Sequence, residues 1–173
     1  MKTTLLSVIL MSFSLISFAH GPSKNEISSI SPYDKLQISG NVNLVISDSG
    51  SDFRIVGNDK EAASIITQQN GSELIISRES NSEKDKPVTI YLAPSNLNTL
   101  IVSNEATVTC ETTIHGNVLS ILHKGSGAIK MRSDANLIQT MTTKSGRISI
   151  EGEYSSIVSR MDRSNHLIIA YSK

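Results

Sequence analysis

Apolar and polar residues alternate along most of the chain, and four segments of the second half repeat the same pattern. Each segment reads as a short strand, a turn and a second alternating strand, and the four occupy residues 100–110, 121–131, 140–150 and 159–169. Successive segments start 21, 19 and 19 residues apart. A period near 20 is typical of solenoids, in which each repeat buries its apolar face only against its neighbours. The pattern therefore predicts a stacked β-coil.

Alignment of the segments places apolar residues in three columns. These are Leu119, Ile138 and Ile157; Ile129, Ile148 and Leu167; and Met131, Ile150 and Ile169. The second and third columns lie two residues apart, so they face the same side of a strand. We expect them to form apolar ladders inside an all-β, parallel β-helix that is regular from about Val88 onward.

The turns between the paired strands contain glycine in the middle copies, as in Gly125-Ser126-Gly127 and Lys144-Ser145-Gly146. Glycine is typical of tight turns with positive φ. Ala106 stands at this position in the first copy. Since alanine tolerates the left-handed region poorly, we expect the first copy to turn differently.

The first half of the chain is β-rich but less regular. Strands are predicted at 36–46, with a turn at Gly40, and at 53–56, 74–77 and 88–92. Asn58 and the residues after it have the character of a capped helical turn, and Asn70-Gly71 is a strong signal for a tight turn. We expect this half to enter the coil through mixed or partly antiparallel pairing.

The run Val88-Thr89-Ile90-Tyr91-Leu92-Ala93-Pro94, then Leu97-Asn98-Thr99-Leu100 and then Gly125-Ser126-Gly127 resembles the family called "putative auto-transporter adhesin, head GIN domain". The strands of 36–46 and the Val56-Gly57-Asn58 segment fit the same family. The resemblance implies a secreted or cell-envelope β-helical domain of Gram-negative bacteria, and it brings no catalytic residues.

The N-terminus has the pattern of a secretory signal peptide. Lys2 precedes an apolar, serine-containing stretch, and Ser17-Phe18-Ala19 forms a small-residue cleavage site. We predict a signal peptide at 1–19, a linker at 20–29 and one domain at 30–173. The protein is then exported to the periplasm, the cell surface or the medium.

Charge is distributed unevenly, although the chain has 16 acidic and 16 basic residues in total. Residues 20–111 hold 12 acidic and 7 basic residues, and residues 112–173 hold 4 and 8. Lys124, Lys144 and Arg163 fall at equivalent turns, which predicts a basic ridge across stacked coils. Such a ridge could bind an anionic glycan or another envelope component; the alternative is a solvated edge that prevents aggregation. The aromatic content of 4% disfavours nucleic acid, which commonly stacks its bases on aromatic side chains.

Candidate chemistry is sparse. Glu151 and Glu153 are interpreted as solvated turn carboxylates, and His115, His123 and His166 share no metal-ligand spacing. The single cysteine, Cys110, shares the inward side with Val108, so we expect it to be a buried apolar residue rather than a reactive thiol. No catalytic site, metal or cofactor is predicted.

Three function classes follow, in decreasing order of support. The first is a non-catalytic exported binding domain, adhesive or glycan-binding; the second is a structural or assembly domain without a small ligand; the third is a β-helical carbohydrate-active enzyme. The last repeat is rich in apolar residues, among them Ile168. Because the end of a coil exposes unpaired backbone groups, a homodimer through this C-terminal edge is a further expectation.

Overall fold

The structure is a computed structural model, and it describes residues 29–48, 52–78, 86–161 and 166–171. The predicted signal peptide lies outside these residues. Fourteen strands and one short helix follow one another in the described part. They are β1 Lys35–Ser39, β2 Val42–Ile46, β3 Phe53–Val56, α1 Asp59–Ala63, β4 Ile65–Asn70, β5 Glu73–Arg78, β6 Val88–Leu92, β7 Thr99–Asn104, β8 Thr107–Ile114, β9 Val118–Gly125, β10 Ala128–Ser133, β11 Leu137–Thr142, β12 Arg147–Gly152, β13 Ser156–Met161 and β14 His166–Tyr171.

The strands form two seven-stranded sheets, and each coil contributes one strand to each sheet. Sheet A has the order β13-β11-β9-β7-β1-β5-β4, and sheet B has the order β14-β12-β10-β8-β2-β6-β3. All pairs are parallel except β3 with β6 and β4 with β5. The predicted all-β parallel coil and its partly antiparallel entry are therefore confirmed.

The predicted columns are the ladders of the core. Ile129, Ile148 and Leu167 are register partners in sheet B, and Leu119, Ile138 and Ile157 are partners in sheet A. Ile148 is only 1% exposed. The alternation of buried and accessible residues along each strand follows from the two-residue period of a pleated strand.

The prediction that the coil starts near Val88 is wrong, because an earlier part of the chain supplies one of its layers. Strands β1 and β2 lie inside the stack, between β5 and β7 in sheet A and between β6 and β8 in sheet B. The apolar residues of 36–46 are in register with those of 74–92 and 100–110. Insertion between two layers thus buries this pair of strands against a neighbour on each side.

A bulge in β8 explains the uneven repeat length. Lys130 pairs with Thr109, and Arg132 pairs with Thr113. Over this stretch β10 advances two residues and β8 advances four, so β8 contains two extra residues. Cys110 lies where the bulge begins and its Sγ donates to the carbonyl oxygen of Thr112 at 3.2 Å. The first interval of 21 residues and the later intervals of 19 are therefore compatible with one stack.

The turn glycines are required by packing rather than by their φ angles, which corrects the expectation. Gly125, Gly127 and Gly146 are not among the residues with positive φ. A Cβ at Gly127 would overlap the carbonyl oxygen of Ala106 in the preceding coil. In that first copy Asn104 takes the left-handed conformation, with φ of 60°, so the different turn predicted there is confirmed.

The remaining local predictions also hold. Asn58 caps α1 in a capping box with Glu61, and Gly71 has φ of 60° in the β4–β5 hairpin. Within the described residues, no helix has the length and apolar character needed to cross a membrane.

Candidate functional site

Four exposed basic residues lie on the outer face of sheet B and at the adjoining turns. Lys130 and Arg147 point outward from β10 and β12, and Lys124 and Lys144 lie at the β9–β10 and β11–β12 corner. All four residues are exposed. We call this group of four the basic surface.

Strand register determines the relative positions of the residues of the predicted basic ridge. Leu122 pairs with Met141, and the amide of Thr143 donates to the carbonyl oxygen of His123 at 3.0 Å. Lys124 is thus level with Thr143, and Lys144 lies one position further along the next layer. The two lysines occupy adjacent layers about 4.8 Å apart in the stacking direction. Arg163, the third ridge residue, lies outside the described residues.

Three acidic residues lie near this surface. Glu151 Oε2 lies 3.5 Å from Arg132 Nε. Glu105 is exposed in the β7–β8 turn of the preceding layer, and Glu111 is exposed in β8 opposite the stretch from Lys130 to Arg132. In contrast, none of the four cations of the basic surface forms an ion pair with a described residue. The described residues of this corner therefore carry an excess of positive charge, with four cations against the carboxylates of Glu105 and Glu111.

Lys130 and Arg147 are the two members of this surface that the sequence pattern did not identify, and Arg147 is the more informative of the two. It is the register partner of Ala128, at the start of β12 and directly after the turn glycine Gly146. The available signal was its position: the first residue after the turn begins the outward face of sheet B. Only the two-sheet arrangement shows that this face adjoins the lysine corner.

The outer face of sheet A differs sharply, because apolar side chains follow one column across it. Gln37, Ile101, Leu122 and Met141 are successive register partners. Met141 is 41% exposed, and Val118 at the margin of the column is 37% exposed. Sheet A therefore offers a partly apolar outer surface, on which Lys35 pairs with Glu73 and Arg160 follows Met141, whereas the outer surface of sheet B is more highly charged.

The opposite corner of the coil carries a ladder of asparagines beside a shallow cleft of about 580 Å³. Asn98, Asn117 and Asn136 precede β7, β9 and β11, and Asn136 Nδ2 donates to Asn117 Oδ1 at 3.1 Å. Amides of the next coil donate to the ladder backbone, as Leu137 does to Asn117 at 3.0 Å. These bonds connect successive coils, so the ladder has a structural role.

His123 is an exception inside the coil. Its side chain is fully buried between Val102 and Thr142 of the adjacent layers, and neither ring nitrogen has a hydrogen-bond partner. Burial lowers the pKa of its imidazole, because desolvation disfavours the charged form. A Cβ at Gly146 would overlap this ring, so the glycine of the next turn makes room for it.

The other predicted chemical residues are separate from one another. Cys110 is buried, as expected, and desolvation raises the pKa of its thiol. Glu151 is not in a turn as predicted but lies within β12, where it pairs with Arg132, while Glu153 follows the strand and is exposed. Among the described residues, no three histidine, cysteine, aspartate or glutamate side chains form a group that could hold a metal ion.

Comparisons with known proteins point to one family. The chain matches the family described as "Putative auto-transporter adhesin, head GIN domain" over residues 32–164. A crystal structure of a protein described as a "putative adhesin" from Bacteroides fragilis has a similar fold, with a TM-score of 0.52 and 16% sequence identity. The similarity covers 83% of this chain and 91% of that one. No curated protein matches the chain.

Proposed function

The chain belongs to the auto-transporter adhesin head GIN domain family, and on that premise we propose that it is an exported, non-catalytic binding domain that attaches to an anionic polysaccharide. The observation that carries the proposal is the basic surface of Lys124, Lys130, Lys144 and Arg147. Its four exposed cations have no ion-pair partner among the described residues.

The geometry of the coil suits a repeating acidic ligand. The layers place cations on successive strands about 4.8 Å apart, and strand pairing fixes the backbone that carries them. A rigid array of this kind can contact several charges of one polymer chain without ordering a loop. Less conformational entropy is then lost on binding than with a flexible site.

The charge asymmetry of the sequence supports the same surface. The half of the chain that contains the basic surface has 8 basic and 4 acidic residues, and the preceding half is acidic. At about 0.1 M salt, exposed charges more than about 10 Å apart are largely screened from one another. The acidic half of the chain therefore has little effect on a polysaccharide that is in contact with the basic surface. Binding should therefore be local to this corner and strongly dependent on ionic strength.

The N-terminal pattern of residues 1–19 and the family both support the export that we propose. An exported domain would meet acidic polysaccharides at the cell envelope. The proposed non-catalytic role agrees with the separation of the carboxylates, because Glu151 is engaged by Arg132 and Asp134 by His115.

The test is the binding of the full chain to immobilised polygalacturonate, an acidic polysaccharide, with neutral dextran as the reference polymer. We expect retention on polygalacturonate at 50 mM salt, release as the salt concentration rises, and no retention on dextran. The double variant K124E/K144E should weaken binding at least tenfold, because two attractive contacts become repulsive.

A matched control reverses two charges elsewhere. Lys60 in α1 and Lys86 before β6 are both exposed, and K60E/K86E changes the net charge of the protein by the same amount as K124E/K144E. This variant should retain most of the binding. Equal loss in K60E/K86E and K124E/K144E would indicate a net-charge effect and would contradict the proposed surface, as would equal retention on dextran.

A further inference from the structure

Among the described strands, β13 and β14 lie at one edge of the two sheets and are long and regular. In sheet A the final strand is β13, and in sheet B it is β14; each has six residues. Both pair with the preceding layer without a register shift. No described strand pairs with the outer side of either one. This end of the coil therefore has two edge strands, one from each sheet, whose outer backbone groups have no described strand partner.

The hydrogen-bonding groups of the edge can be assigned from the pairing in sheet A. The amide of Ser156 donates to the carbonyl oxygen of Asn136 in the preceding layer at 3.0 Å. Backbone amides alternate sides along a strand, so those of Ile157, Ser159 and Met161 point to the free side. The carbonyl groups of the same residues point there as well.

Side chains at this end are apolar and incompletely covered. Val158 is 57% exposed, Ile168 53% and Met161 44%. Among the other described large hydrophobic residues, only Val56, at 45%, is more exposed than Met161. Ile157 is only partly buried, whereas its partner Ile138 in the preceding layer is fully buried. Natural edges are usually protected by charges, bulges or short strands. Arg160 is the only lysine, arginine, aspartate or glutamate within β13 and β14.

The opposite end of the coil is completed in a different way. There β4 pairs antiparallel with β5 in sheet A, and β3 pairs antiparallel with β6 in sheet B. One antiparallel strand therefore follows the last parallel strand of each sheet. The protein itself shows that a coil of this cross-section accepts an antiparallel strand on both sheets at once.

We propose that the β13–β14 edge pairs with the same edge of a second copy of this chain, giving a twofold dimer with two continuous sheets. A twofold axis perpendicular to the sheets brings β13 against β13 and β14 against β14, both antiparallel. An unrelated partner would need two edge strands with the same separation, and a second copy supplies this separation by symmetry.

The size of the contact is consistent with a specific interface. Two antiparallel pairs of six residues provide about twelve backbone hydrogen bonds, similar to the roughly ten of a typical protein interface. The contact also covers Val158, Met161 and Ile168. This proposal does not depend on the polysaccharide proposal, because the edge and the basic surface are tested with different variants.

The test is sedimentation of the full chain over a hundredfold range of concentration, with the variant S159P as the diagnostic change. Proline removes the amide that Ser159 directs to the free side and leaves the Ser156 bond to the preceding layer intact. It also removes the Ser159 hydroxyl, which accepts from Thr140 Oγ1 at 2.9 Å, so S159A, which lacks only the hydroxyl, is the reference for this variant. We expect a concentration-dependent dimer for the unchanged chain and at least tenfold weaker association for S159P. I168K should also weaken association, because the two edge strands of a twofold dimer bring like charges close together.

Two comparisons separate edge pairing from its alternatives. V118K places the same charge at an exposed apolar position of β9, two strands away from the edge, and should dimerise normally. Hydrogen exchange should show protected Ile157 and Ser159 amides in the dimer and exposed amides in I168K. A protein that stays monomeric at every concentration would overturn the proposal. Protection of these amides in such a monomer would show that another segment of the same chain covers the edge. Dimerisation that S159P and I168K leave unchanged would overturn it as well.

Discussion

His123 gives the sharpest prediction about stability, because it is a fully buried imidazole whose two ring nitrogens have no hydrogen-bond partner. Each unsatisfied buried polar group costs about 1–3 kcal/mol. Replacing the ring with leucine removes both groups and keeps an apolar side chain of similar size between Val102 and Thr142. We therefore expect His123→Leu to raise the free energy of unfolding by about 1–3 kcal/mol at pH 7.5.

The same side chain predicts a dependence on pH. Burial lowers the pKa of His123 in the folded protein, while in the unfolded chain it titrates near its ordinary value of about 6.5. Below that pH the unfolded state binds more protons, so stability falls as the pH drops from about 6.5 towards the folded pKa. The loss is at most about 1.4 kcal/mol per pH unit. His123→Leu should lack this component, so the gap between variant and wild type should widen on acidification.

Urea unfolding at pH 7.5, 6.5 and 5.5 measures both effects. With an m-value of about 1–3 kcal/mol/M, the expected gain moves the midpoint by roughly 1 M at neutral pH. His115→Leu is the control, because it removes an exposed histidine and leaves His123 in place. A His123→Leu variant that is less stable than wild type at pH 7.5 would refute the reasoning, as would a gap that stays constant with pH.

Two further predictions concern the packing of the coil, and both are measured by urea unfolding. Ile148→Ala should cost about 2–4 kcal/mol by leaving a cavity in a buried ladder, whereas Met141→Ala, at a 41% exposed position, should cost far less; similar costs would contradict the ladder. Gly127→Ala should cost about 1–3 kcal/mol or more, because its Cβ would overlap the Ala106 carbonyl oxygen. Gly116→Ala, where no atom lies within 4 Å of the added carbon, should be nearly neutral, and equal effects at the two glycines would disprove the steric explanation.

The repeated part of the fold is predictable from the amino-acid sequence. A two-residue alternation fixes which side chains face inward, and a period of 19 residues brings Ile129, Ile148 and Leu167 into one column. These are local and periodic properties, so they can be read without knowledge of distant contacts. The capped turn at Asn58 and the hairpin at Gly71 were predictable for the same reason, because their signals lie within a few residues.

The position of the first half of the chain, in contrast, follows from long-range strand pairing that the sequence pattern does not reveal. The insertion of β1 and β2 between β5–β6 and β7–β8 depends on pairing between segments up to about 60 residues apart, and alternating strands carry no label for their partners.

The tertiary structure also decided the environment of single residues. Alternation along β9 is consistent with His123 facing inward, but the absence of hydrogen-bond partners depends on the adjacent layers. The need for glycine at Gly127 likewise comes from a carbonyl group of the neighbouring coil rather than from its own turn. Arg147 joins the lysine corner because two strands of different sheets meet there. Each of these features depends on the contact between layers, and that contact is set by the stacking of the whole chain.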